Sequence, residues 1–193
     1  MDFQKLRRRV IGILTDSIHE WRVISAEQDD IASVYMNYIV PLAAIPAISM
    51  FIGLGIIGAP FIGRFGILTA LSSAIFGYVS ALASPIIAAV VIEQLAPKFK
   101  SSGTLVDALK LVAYASTPMW VGGILYILLY LAPLVLAAAL YAIYLFYLGL
   151  PAMMKTHPDN VVPYMVVSAI VLLVINLLLA LFRTLLGMPS YGF

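Results

Sequence analysis

The chain contains no cysteine, so it can form no disulfide, present no thiol nucleophile and build no thiolate metal site. Cysteine usage therefore says nothing of the redox compartment. Histidine is nearly absent. His19 and His157 lie in different polar segments, and neither has a second histidine at the helical spacing of a metal site. No serine stands in a nucleophile-elbow pattern, and no phosphate-binding glycine loop or carboxylate pair interrupts an apolar segment. These absences remove the common signatures of catalysis and imply no cofactor. Charge is scarce too: charged residues make up 10% of the chain and leave a net +2, which gives no basis for nucleic-acid binding. A cleaved signal peptide is not expected, because residues 1–30 hold no uninterrupted apolar run ending in a small-residue cleavage site.

What is present in excess is apolar surface. Hydrophobic residues reach 63%, against about 45–50% in an ordinary soluble domain. No soluble core of this length needs so much, so the chain reads as an integral membrane protein. A spanning helix takes roughly 20 apolar residues. Charge-free stretches place the first span at about Ile31–Gly58 and the second at about Gly66–Ile92. Leu111 to Met154 carries no charge and is about twice the length of one span, so it folds back on itself. The expected turn is Leu131-Ala132-Pro133, since proline ends a helix and biases the preceding residue toward extended geometry. The third and fourth spans are then about Leu111–Tyr130 and Pro133–Leu150, and the fifth about Pro163–Phe182. The predicted fold class is an all-α, five-span bundle over residues 31–193, preceded by an amphipathic segment over residues 1–30.

Lysine and arginine set the orientation. Lys5, Arg7, Arg8, Arg9, Arg22, Lys98, Lys100, Lys110 and Lys155 share one side, and of the 11 basic residues only Arg64 and Arg183 fall on the other. The N-terminus is therefore expected in the cytoplasm and the C-terminus outside.

The segment from Phe3 to Ile24 repeats apolar residues every three to four positions, one face of a helix, with Lys5 and Arg7 to Arg9 mostly off that face. Such a basic helix lies in the membrane interface beside anionic lipid, which makes Lys5, Arg7, Arg8, Arg9 and Trp21 lipid-facing candidates. The alternative is that the apolar stripe packs on the protein's own surface. Ser25 to Gln28 fits a capping box opening the first span and accounts for Glu27, Asp29 and Asp30 without a metal. Later, Thr104 reads as the cap of a helix start.

Within the spans, Ser73, Gly77 and Ala81 recur every four residues on the second helix, a spacing that lets helix backbones approach. Tyr130 and Tyr147 suit the interfacial aromatic belts, whereas Tyr144 is deeper and its hydroxyl should find a partner inside the bundle. In the third span, "KLVAYASTPMWVGGIL" carries Pro118, which frees the carbonyl of Tyr114 and leaves Ser116 or Thr117 to re-satisfy it. One reading is a kink filled by neighbours. The other is a polar pocket of Tyr114, Ser116, Thr117, Pro118 and Tyr144, extended by Glu93 if it faces a cavity shared with Lys110.

These residues also carry a family likeness. "KLVAYASTPMWVGGIL", followed by "LYAIYLFYLGLPAMMKTHPDNVVPYMVV", resembles the membrane domain of the Yip family, the Ypt/Rab-interacting proteins, in its bacterial and archaeal branch. "EWRVISAEQ" and "YMNYIVPLAAIPAISMFIG" resemble that branch's entry into the first helix. The likeness covers about Glu20 to Ile175 and is specific at Ala113-Tyr114-Ala115-x-x-Pro118 and at Tyr147 to Pro151. It implies five membrane helices and a cytoplasmic N-terminus. Eukaryotic members act in vesicle trafficking, bind small GTPases and membrane-shaping hairpin proteins, and are not enzymes. Their acidic-Leu-Tyr-Gly-Pro motif is absent here, so GTPase binding is not carried over, and no catalytic residue transfers. Two functions fit. One is a non-enzymatic membrane organiser whose partners are the bilayer, anionic lipids, and a second copy or other membrane proteins. The other is a small oligomeric transporter or channel with a polar path near Tyr114, Thr117 and Glu93.

Overall fold

In the computed structural model, which describes residues 2–58, 63 and 65–185, the chain is helical apart from short connections. Five helices are long and apolar enough to cross a membrane: Ile31–Ile57, Ile67–Phe99, Leu105–Ile127, Tyr130–Met154 and Pro158–Ile175. The expected all-α, five-span fold is borne out. Arg64 lies outside the described residues, as does the side chain of Arg183.

Side-chain caps start the two short N-terminal helices and the first and third spans. Before the membrane come two short helices, α1 (Phe3–Thr15) and α2 (Ser17–Ala26). Asp2 accepts from the backbone N–H groups of Gln4 and Lys5, and Asp16 accepts from that of His19. The sequence predicts one continuous helix here. Asp16 breaks it by leaving helical geometry (φ −137°, ψ 60°) and capping the next helix. The first span is capped by Asp30, which accepts from Ser33 at 2.9 Å. Ser25 instead lies inside α2 and donates to the Arg22 carbonyl, so the expected Ser25–Gln28 capping box does not form. The third span opens with a reciprocal box between Thr104 and Asp107, one and a half turns earlier than hydropathy suggests. Its end also differs: the chain turns at Leu128, in extended geometry (φ −114°, ψ 94°), ahead of Pro133.

The third span is the hub. It packs against the first, second and fourth spans, while the fifth packs against the second and fourth. Its inner residues Leu109, Leu111, Ala113, Tyr114, Thr117 and Trp120 are buried on all sides. The other spans expose long apolar faces, as helices bathed in lipid must. The small-residue row expected at Ser73, Gly77 and Ala81 does not make the close approach. A Cβ added at Gly77 would meet nothing within 4 Å. The buried residues of that helix are Ala70, Ala74, Pro85, Ala89 and Ile92, offset from the predicted row, because the contacting side is set by its neighbours and not by residue size alone.

Candidate functional site

The richest chemistry among the described residues lies where α1 and α2 fold onto one end of the bundle. In one straight helix Arg9 and Glu20 would stand about 16 Å apart. Here the break at Asp16 brings them together: Arg9 donates to Glu20 at 2.5 Å and to both oxygens of Glu27 at 2.5 and 2.6 Å. The guanidinium also lies over the Tyr114 ring, 5.7 Å from its centroid, a cation–π contact. Arg9 is 7% exposed. Burial alone lowers its pKa; against that, Glu27, Tyr114 and Glu20 hold it above its ordinary value, so the group stays charged.

A second cation completes the cluster. Lys110, 1% exposed, donates to the Glu27 carbonyl at 2.6 Å and pairs with Asp29 at 3.4 Å. The acidic run before the first span is therefore explained by two basic side chains, one from α1 and one from the third span. Beside it, Trp21 is buried against the fourth span, where a Cβ on Gly149 would come within 2.6 Å of its ring. Gly149 is the notch that admits the indole. Tyr141 of the fourth span donates to the Leu14 carbonyl at 2.8 Å, satisfying an open carbonyl at the end of α1.

Arg9 and Trp21 are thus corrected as lipid-facing candidates: both point into the protein, where this part of the stripe packs on the protein's own surface. Arg9 follows Leu6 by three residues and precedes Ile13 by four, so helical geometry puts it on the inward stripe. Lys5, Arg7 and Arg8 remain exposed, as do Phe3 (71%), Ile11 and Ile18 on the hairpin's outer side.

The expected intramembrane pocket is only partly assembled. Thr117, fully buried, donates to the Tyr114 carbonyl at 2.6 Å, the carbonyl that Pro118 leaves without its helical donor. Its single proton is then engaged, so the 2.7 Å contact with Tyr38 has the tyrosine hydroxyl donating to Thr117. The Tyr38 and Tyr114 rings lie 4.3 Å apart, tilted by 58° to one another. Ser116 is half-buried at the kink itself. Two members lie elsewhere. Tyr144 is 48% exposed on the outer face, stacked on Tyr141, which takes the inward role expected of it. Glu93 makes no ion pair with Lys110 among the described residues, because Lys110 turns toward Glu27 and Asp29. Sequence reasoning missed Glu20, Tyr38 and Gly149, each of which acts through a partner distant in the chain.

Two cavities flank this region. One, of about 310 Å³, opens beneath α1 and is lined by polar side chains of α1, the acidic run and the first span together with Tyr114. The other is an apolar lateral groove of about 570 Å³ among the second to fifth spans, with Ser116 at its edge. Glu93 lines neither.

A Yip1 domain model matches residues 11–181. The chain is 32% identical over 192 residues to the inner membrane protein YohC of Escherichia coli strain K12, covering 95% of this chain and 97% of that relative. YohC of strain O6:H1 (CFT073) aligns with the same identity and coverage. No solved structure matches the chain. The family model spans all five membrane helices and the Trp21, Tyr114, Pro118 and Gly149 positions around which the site is built, and the chain belongs to the Yip1 domain family.

Proposed function

We propose that this multi-pass protein is a non-enzymatic organiser of the cell membrane, with its N-terminus in the cytoplasm, its C-terminus outside and its N-terminal hairpin held as a fixed platform on the inner leaflet. The observation that carries this reading is the division of the hairpin into two faces. Arg9 and Trp21 lock the inner face to the bundle, and Phe3, Lys5, Arg7, Arg8, Ile11 and Arg22 are left exposed on the outer one. An exposed surface that alternates large apolar and basic residues suits the boundary between acyl chains and anionic headgroups. The positive-inside bias supports the orientation, and the name of the Escherichia coli relative supports the location. The lipid-exposed faces of the spans leave room for a second copy or another membrane protein as partner.

The transporter reading has less support. Thr117 is buried and engaged on both sides, and Glu93 lines neither the cavity beneath α1 nor the apolar groove.

The full chain in nanodiscs tests the platform. Three exposed charges near the surface contribute about 3 kcal/mol at most, at about 1 kcal/mol each, before salt screens them. Amide hydrogen exchange over residues 3–11 should be slower in anionic than in neutral discs. The difference should vanish at high salt and in Lys5→Gln/Arg7→Gln/Arg8→Gln, with Arg9 left intact. Equal exchange in both lipids would sink the proposal. For the orientation, cysteines placed singly at the exposed positions Phe65 and Lys98 should react with an impermeant thiol reagent from opposite sides.

A further inference from the structure

The 310 Å³ cavity beneath α1 combines apolar surface with charged and polar side chains, and its cations and carboxylates are unevenly engaged. Arg9 is bonded to Glu20 and Glu27, both Glu27 oxygens are taken by Arg9, and Asp2 caps α1. Four acceptors on the lining have no partner among the described residues: Asp2 Oδ2, Asp29 Oδ1, Asn37 Oδ1 and the Tyr114 hydroxyl. Asn37 uses only its amide N–H, toward Ser33. Tyr114 is 5% exposed, so its hydroxyl is an unpartnered polar group on an almost wholly buried residue. Lys5 also lies exposed on the lining, with no partner for its ammonium among the described residues.

A primary ammonium has three N–H donors and no acceptor, which suits a lining whose open groups are acceptors, two of them carboxylate oxygens. The fully described charge of the lining, Asp2, Glu27 and Asp29 against Lys5 and Arg9, leaves one excess negative charge, so a cation belongs inside and an anion at the rim. A free phosphate would face these carboxylates with Lys5 as its one unengaged cation. The cavity is large enough for several waters or one small headgroup. It also sits at the end of the spans, the level at which lipid headgroups lie.

We propose that this cavity binds phosphoethanolamine chemistry, with the primary ammonium held by Asp29, Asn37 and Tyr114 and the phosphate met by Lys5. The group can come from a lipid or from a soluble ester, and the site shares only Lys5 with the exposed, anionic-lipid face of the hairpin. Phosphocholine is the discriminating control. Its quaternary ammonium has no N–H to give, so an acceptor-built site rejects it, whereas a purely aromatic cage would prefer it.

The test uses the purified full chain. In detergent, thermal unfolding is followed with phosphoethanolamine, phosphocholine or inorganic phosphate added. In a second arm, native mass spectrometry follows which lipid is retained after equilibration with equal phosphatidylethanolamine and phosphatidylcholine. Tyr114→Phe deletes only the hydroxyl and keeps the ring, and Asn37→Leu deletes a second acceptor at an exposed position. The ethanolamine form should be favoured in at least one arm, and each variant should weaken that preference about tenfold, the loss of one hydrogen bond to a charged group. A soluble response identifies a small ester as ligand; retention in the lipid arm alone identifies a membrane headgroup. Equal binding of both headgroups, binding of inorganic phosphate alone, binding of neither, or an unchanged preference in both variants would overturn the proposal.

Discussion

The two ends of the bundle are held by opposite kinds of contact. Beneath the hairpin, charged and hydroxyl groups meet in directional bonds: Arg9 with Glu20 and Glu27, Lys110 with Asp29, Tyr38 with Thr117. At the far end the helices touch where side chains are nearly absent. A Cβ on Gly123 would come within 2.5 Å of Pro46, one on Gly55 within 2.9 Å of Ala70, and one on Gly122 within 3.0 Å of Ala138. Directional bonds fix a register, because each donor has one geometry in which it is satisfied. Close contact of small residues fixes only a distance. The third span opens with a reciprocal cap and α-geometry but closes in a 3₁₀ turn over Gly123–Ile127. Irregular backbone occurs at both ends of the first span, in π turns over Tyr35–Ile39 and Ile52–Ile57, where neighbouring helices keep water from the loosened groups.

Breaking the polar end should have the largest effect. Arg9→Ala leaves Glu20 and Glu27 without their cation in a buried setting and is expected to cost about 3–5 kcal/mol. Unfolding in detergent measures it, and Arg7→Ala, two residues away and exposed, should stay within about 0.5 kcal/mol of the parent. If both substitutions cost the same, the clamp is not what holds this end. The apolar end should respond next. Gly123→Ala drives a methyl into Pro46 and is expected to cost about 1–3 kcal/mol, read in the same assay. Thr117→Val keeps the shape but strands the Tyr114 carbonyl and removes the acceptor of Tyr38, for roughly 1–3 kcal/mol. The smallest effect belongs to Gly77→Ala. Its methyl meets open space, so the gain in helix propensity should leave the protein unchanged or more stable by up to about 1 kcal/mol.

What could be read from the sequence divides along the same line. Five spans, their order and the kink at Pro118 were legible, because hydropathy and proline chemistry are local. Thr117 as the group that repairs the kink was legible as one of two choices, Ser116 being the other. The clamp was not. The basic run suggested lipid, and nothing local pairs Arg9 with Glu27, or Trp21 with Gly149 across more than half the chain. The spacing of Ser73, Gly77 and Ala81 misled for a related reason: a row of small residues allows close approach, but only a partner helix on that side turns it into contact. Tyr144 and Tyr141 differ by less than one turn, and the position of Leu14 decides which faces inward.

The account rests on the hairpin being seated on the bundle, with Trp21 enclosed by protein. The chain has 2 tryptophans, so Trp120→Phe leaves Trp21 as the sole reporter. Its fluorescence in the full-length protein, reconstituted in bilayers, should be blue-shifted and resist quenching both by aqueous acrylamide and by brominated acyl chains. Adding Arg9→Ala should make it accessible to one or the other. Strong quenching by brominated lipid in the variant that retains Arg9 would mean that the apolar stripe lies in the bilayer interface, and would contradict the docked hairpin directly.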